Sequence, residues 1–114
     1  MGDKTLQERT KQFSLNILNL FKNLPKDTST QILGKQLLRS GTSVGANSRA
    51  AFRGRSTKEY IAKLGIVVEE ADECIFWLEL LKESSLIKNI DGLIEEADVL
   101  TSIFVSLIKK AKNE

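Results

Sequence analysis

Arg49, Arg53, Arg55, Lys58 and Lys63 fall in one short stretch that holds a single acid, Glu59, a local net charge of +4. Arginine presents a planar fork of donors that matches phosphate oxygens, and lysine a compact point charge. Phosphate binding is the chemistry this stretch could do. Arg49, Arg53, Arg55 and Lys58 are its candidate contacts with RNA or DNA. Such contacts hold a sugar–phosphate backbone and carry little base readout. The cluster is smaller than most dedicated nucleic-acid surfaces. A ring of subunits would repeat it and turn a modest patch into a continuous basic rim. The competing reading is a protein-interaction scaffold. There the same arginines pair with acidic surfaces of a neighbouring subunit or of another protein. Such a surface lies downstream, where Glu69, Glu70, Asp72, Glu73, Glu79 and Glu83 accompany one base, Lys82, a local net of −5.

Other chemistry has little to work with. The chain has no histidine, which removes the commonest general base and the commonest metal ligand. Di-iron bundles built on Glu-x-x-His pairs are therefore excluded. Glu69, Glu70 and Glu73 read as a solvated or ion-paired face. Cys74, the single cysteine, continues an apolar line and reads as a buried structural thiol. Asn47 sits among small residues and reads as a buried amide that bonds backbone or fixes helix register. No nucleotide-binding loop is present. The expectation is a non-enzymatic protein without catalytic residues, cofactor or metal.

Four helices must position these residues. The first runs from about Asp3 to Leu24. Leu6, Phe13, Ile17, Leu20 and Leu24 recur at three- and four-residue steps, with Thr10 filling the gap, and Pro25 ends the helix. Thr28 and Gln31 have the spacing of a capping box and start the second helix. Ile32, Leu33, Leu37, Leu38 and Val44 form its early apolar face. From Ser40 the chain reads SGTSVGANSRAA. Gly41 and Gly45 each cost a helix about 1 kcal/mol relative to Ala. Helix is still the expectation, because Gly41, Gly45, Ser48 and Ala51 fall on roughly one side and let a neighbouring helix approach closely. A connection follows at Phe52–Arg55, with Gly54 free to take a positive φ.

Ser56 and Glu59 form a second capping box, and the third helix runs from about Thr57 to Glu83. Tyr60, Leu64, Val67, Ala71, Cys74, Leu78 and Leu81 make one stripe along it. Ile61, Val68 and Ile75 make a second, and Phe76 and Trp77 widen the apolar surface. So broad a stripe implies a central helix or contact with another subunit. Ile61, Val68, Ile75 and Trp77 are the candidate oligomer interface. Leu86, Ile87 and Ile90 close one end of the core. The fourth helix, from about Leu93 to Lys110, carries Leu93, Ala97, Leu100, Phe104, Leu107 and Ala111. Lys109, Lys110 and Lys112 suit the negative pole of its dipole. The short connections predict an all-α, antiparallel up-down-up-down four-helix bundle.

Composition sets the frame. At 114 residues, 41% hydrophobic and 28% charged, with net charge +2, the chain is one ordinary globular domain across residues 1–114. One cysteine suits a reducing cytoplasm. No secretory signal or membrane-spanning run is visible, and Leu6 stands where a lipidation motif wants Ser or Thr.

The stretch from Leu38 to Leu81 resembles the four-helix-bundle family named after the 23S rRNA intervening-sequence proteins. The residues that carry the likeness are Arg39-Ser40-Gly41-Thr42-Ser43-Val44-Gly45-Ala46-Asn47, the basic Arg53–Ser56 turn, Lys58-Glu59-Tyr60-Ile61, Glu69-Glu70-Ala71 and Trp77-Leu78-Glu79-Leu80-Leu81. The resemblance implies a bacterial, cytoplasmic bundle. Some members are encoded inside insertions in 23S rRNA genes, and a related group assists the reverse transcriptases of diversity-generating retroelements. It also implies a ring-shaped homopentamer, for which nucleic-acid binding is the usual proposal and no catalytic residues are established. Many members carry Glu three residues after the Asn. This chain has Ala50 there, so a role for that carboxylate does not carry over.

Overall fold

The computed structural model describes residues 3–84 and 87–114. Four helices follow in order: α1, Asp3–Lys22; α2, Thr28–Phe52; α3, Thr57–Ser84; and α4, Asp91–Lys112. Each packs antiparallel on its sequence neighbour, giving an all-α up-and-down bundle measuring 48 × 20 × 19 Å. α1 and α4 meet far more sparingly.

The stripes of the sequence make the core. Phe13 and Ile17 of α1, Leu37 and Val44 of α2, Leu64, Val67, Leu78 and Leu81 of α3, and Leu100 and Phe104 of α4 are all fully buried. Burying each such side chain contributes about 1.5–3 kcal/mol. Leu6, Thr10 and Leu24 continue the α1 stripe, and Ala97 and Ala111 that of α4. Ile90 closes the end of the core as expected. Ile87 packs against it, and Leu86 lies outside the described residues.

The glycine-containing run of α2 is helical throughout, and its small residues are there for contact. A Cβ on Gly41 would lie 2.7 Å from Ile17 Cγ2, and one on Gly45 would lie 2.6 Å from Ser14 Oγ. Gly34, two turns before Gly41, meets Leu24 and Phe21 in the same way. Contact between the two helices thus outweighs the glycine penalty.

Several local expectations are corrected. Asp27, not Thr28, caps α2, and its carboxylate accepts the Thr30 amide at 3.1 Å. Gln31 turns away and donates to the Pro25 carbonyl at 2.8 Å. Ile32 is 57% exposed. Its apolar type suggested the core face, but it sits on the side of α2 away from Leu37 and Val44. Gly54 does not take a positive φ; among the described residues only Asn89 does, at 67°. What constrains Gly54 is crowding, since a Cβ there would stand 3.1 Å from the Ala51 carbonyl oxygen. The Ser56 cap holds, with its hydroxyl accepting the Glu59 amide at 3.1 Å. Helix α4 begins two residues earlier than the sequence suggests, at Asp91, and ends two later, at Lys112.

Candidate nucleic-acid interface

The up-and-down path returns four helix termini to one end of the bundle. These are the start of α1, the end of α2, the start of α3 and the end of α4. Arg49 belongs to the last turn of α2, Arg53 and Arg55 to the connection, and Lys58 to the first turn of α3. All four side chains are exposed. Among the described residues the ion pairs are Arg9–Glu96, Arg39–Glu70, Arg39–Glu73 and Lys82–Asp91. None of them involves the candidate cluster.

The fold adds cations that the sequence reading left aside. Lys4 and Lys11 of α1 line a shallow cleft with Arg49 and Arg53. Lys11 and Arg49 also flank an adjoining groove floored by Gly45 and Ala46. Lys109, Lys110 and Lys112, read only as partners of the helix dipole, are exposed at the same end. Glu8, Glu59 and Glu114 are carboxylates interspersed there. In the sequence Lys4 and Lys11 are remote from Arg53, so their convergence is visible only once α1 is laid antiparallel on α2. The arrangement can hold several phosphates, because it is shallow and open.

A third hollow lies at the α2–α3 turn. It is lined by Phe52, Gly54, Arg55, Ser56, Thr57 and Tyr60. The rings of Phe52 and Tyr60 are half-buried, 5.9 Å apart and tilted by 51°.

The acidic stretch is divided by the helix. Glu70 and Glu73 reach across to Arg39, with Glu70 at 2.9 Å, so part of the face is ion-paired within the chain. Trp77 donates its indole N–H to Glu73 at 3.1 Å and meets Phe76 edge-on at 5.0 Å. Glu69, Asp72, Glu79 and Glu83 remain exposed. Burial pushes the Cys74 thiol up to about 12, and its Sγ lies 3.4 Å from Ser40 Oγ inside the bundle. Asn47 is half-buried and donates to the Ser43 carbonyl at 3.0 Å and the Ser43 hydroxyl at 2.8 Å. It bonds its own helix and does not reach a neighbour.

The candidate interface residues do not share one face. Ile61, Val68 and Ile75 recur every seven residues and stay on one side of α3. Trp77 is two residues beyond Ile75, roughly 200° further round the helix at 100° per residue. Val68 and Ile75 pack against the core and are half-buried, as are Ile61 and Trp77. Phe76 is the exposed large hydrophobic residue of α3, at 53%.

Among the described residues no group of three or more His, Cys, Asp or Glu is placed to hold a metal ion. No described helix is long and apolar enough to cross a membrane.

Comparison with known proteins agrees with this architecture. A crystal structure of a protein of unknown function from the S23 ribosomal protein family of Bacteroides thetaiotaomicron superposes with a TM-score of 0.87. The two chains are 34% identical, over 96% of this chain and 99% of that one. A search of curated proteins finds no match. The family model of the 23S rRNA-intervening sequence proteins matches residues 3–106. With the small-residue helix, the basic turn and four antiparallel helices in place, the chain belongs to the 23S rRNA-intervening sequence protein family.

Proposed function

We propose that this protein is a non-enzymatic, self-associating bundle of the cytoplasm that binds RNA or DNA through the basic end. The observation that carries the reading is the convergence of exposed, unpaired cations from all four helices, Arg49, Arg53, Arg55 and Lys58 among them, on one end of the molecule. Cations paired with carboxylates in the same chain would have little charge to offer. Among the described residues these have no such partner, so phosphates can take that place, with release of counterions. Self-association, as a pentamer in this reading, aligns the ends of several subunits into a rim. The half-buried Ile61, Val68 and Ile75 line supplies one contact face and Trp77 a second.

Titration of labelled RNA and DNA at several salt concentrations tests the binding. Affinity falls steeply with salt for wild type. Arg53→Ala with Arg55→Ala weakens unrelated sequences alike and lowers the salt slope by about two units, one for each lost phosphate contact. Absence of salt-sensitive binding overturns the reading. Light scattering at micromolar concentration tests association, and a lone 12.7 kDa species rejects it.

A scaffold is the second reading, favoured by the exposed Glu69, Asp72, Glu79 and Glu83 on the outside of α3. That face and the basic end are complementary in charge. If the double arginine variant dissociates into smaller species, the arginines belong to a subunit interface and the scaffold reading replaces the first.

A further inference from the structure

We propose that the hollow at the α2–α3 turn is a stacking site for an unpaired nucleobase, so that the ligand of the basic end is single-stranded nucleic acid. The inference rests on the nucleic-acid reading above and adds to it the state of the ligand. Phe52 ends α2, and Tyr60 lies in the first turn of α3. Both rings pack against the core and are half-buried, and their 51° tilt means that they do not stack face to face on each other. Aromatic surface beside a cationic track is the combination that single-strand binders use, because every base has a π-face and every nucleotide a phosphate.

The surroundings fit a nucleotide. Arg55 lines the hollow and faces no carboxylate partner among the described residues. Its guanidinium is suited to a phosphate next to a stacked base, or to the base plane itself. The hydroxyls of Ser56 and Thr57 line the same wall. Gly54 lets backbone form the floor: a side chain there would already crowd the Ala51 carbonyl oxygen at 3.1 Å and the Tyr60 amide nitrogen at 3.4 Å.

The neighbouring grooves and the ring pair of α3 do not offer this combination. The grooves between α1 and α2 carry Lys4, Lys11, Arg49 and Arg53 but have no aromatic lining. They take phosphates only. The Phe76–Trp77 pair has ring surface but stands among Glu69, Asp72, Glu73 and Glu79, where a polyanion is repelled. Of these three places, the turn alone joins rings to a cation without a carboxylate partner among the described residues.

The experiment measures anisotropy with the intact wild-type protein and three probes of equal length: a single strand, its duplex, and a single strand whose sugars lack bases. The expected order is single strand tightest, by about tenfold or more over the baseless strand, the range that one stacked base contributes. Tyr60→Leu and Phe52→Leu remove that preference and leave duplex binding unchanged. Their circular dichroism checks that the helices persist. Equal binding of all three probes by wild type overturns the stacking site and leaves phosphate binding standing. Leucine variants that fold and keep the preference overturn it as well. No binding of any probe overturns the nucleic-acid reading itself, and the stacking site with it.

Discussion

Ser14 and Gly45 meet across the α1–α2 interface, with the Gly45 amide donating to the Ser14 hydroxyl at 3.2 Å. The same hydroxyl donates to the Gly41 carbonyl at 2.7 Å. Residues 41 and 45 are one i→i−4 pair of the helix, so a side chain of α1 is laid over a backbone bond of α2. Only a helix without side-chain bulk at that point admits it.

Gly45→Leu is expected to force the two helices apart. The new Cβ would sit 2.6 Å from Ser14 Oγ and 3.3 Å from the Thr10 carbonyl oxygen. Overpacking of this kind costs about 1–3 kcal/mol. Ser14→Ala, which loses two hydrogen bonds without adding bulk, costs about 0.5–1.5 kcal/mol for each. Urea unfolding of both variants measures the difference. A Gly45→Leu midpoint equal to wild type contradicts the close packing described.

Ser48 is fully buried, and its hydroxyl has no hydrogen-bond partner among the described residues. An unmet buried hydroxyl costs about 1–3 kcal/mol. Ser48→Ala is therefore expected to match or exceed wild-type stability. A clear loss of stability would mean that the hydroxyl has a partner in solution.

The Cys74 thiol is fully buried and pushed up to about 12, mainly by burial. The thiolate is the reactive form. At pH 8 a colorimetric disulfide reagent should leave the native protein unmodified and react with one thiol per chain in guanidinium. Rapid modification of the native protein rules out this packing of α3 on α2.

Hydrogen bonding from Thr30 holds the Asp27 carboxyl below its ordinary 3.8. A lowered folded value means that the cap stabilises fully above the unfolded value, and that this contribution is lost as pH falls through the folded one. Asp27→Ala should lower the thermal midpoint at pH 7. The gap to wild type should close as pH falls below 3.8. A gap that persists unchanged to pH 2 assigns the effect to something other than the charge.

Legibility in the sequence followed how local each feature is. The stripes Phe13–Ile17, Leu64–Leu81 and Leu100–Phe104 depend on helical period alone, and they are the core. The Gly41–Gly45 segment was legible only as a tension between propensity and spacing, and Ile17 and Ser14 on another helix resolve it. Ile32 misled because apolar type does not specify side. The α2 cap moved by one residue because Asp27 and Thr28 are both competent caps and the chain path after Pro25 selects between them. At the candidate site, the Arg49–Lys58 cluster is contiguous and could be read directly. Lys4, Lys11 and Lys109 reach it only through antiparallel packing. The Phe52–Tyr60 pair spans the turn, and the sequence reading separates its members, with Phe52 in the connection and Tyr60 in the α3 stripe.

The narrow seam between α1 and α4, pinned by Arg9 and Glu96 at 2.7 and 2.8 Å, has a kinetic consequence. The bundle is a chain of three hairpins, α1–α2, α2–α3 and α3–α4, with little that joins first to last. Nearly all its contacts close loops no longer than two adjacent helices. Low contact order of this kind places folding in the microsecond-to-millisecond range. The Arg9–Glu96 clasp, which spans 87 residues, should be among the last interactions to form and the first to open.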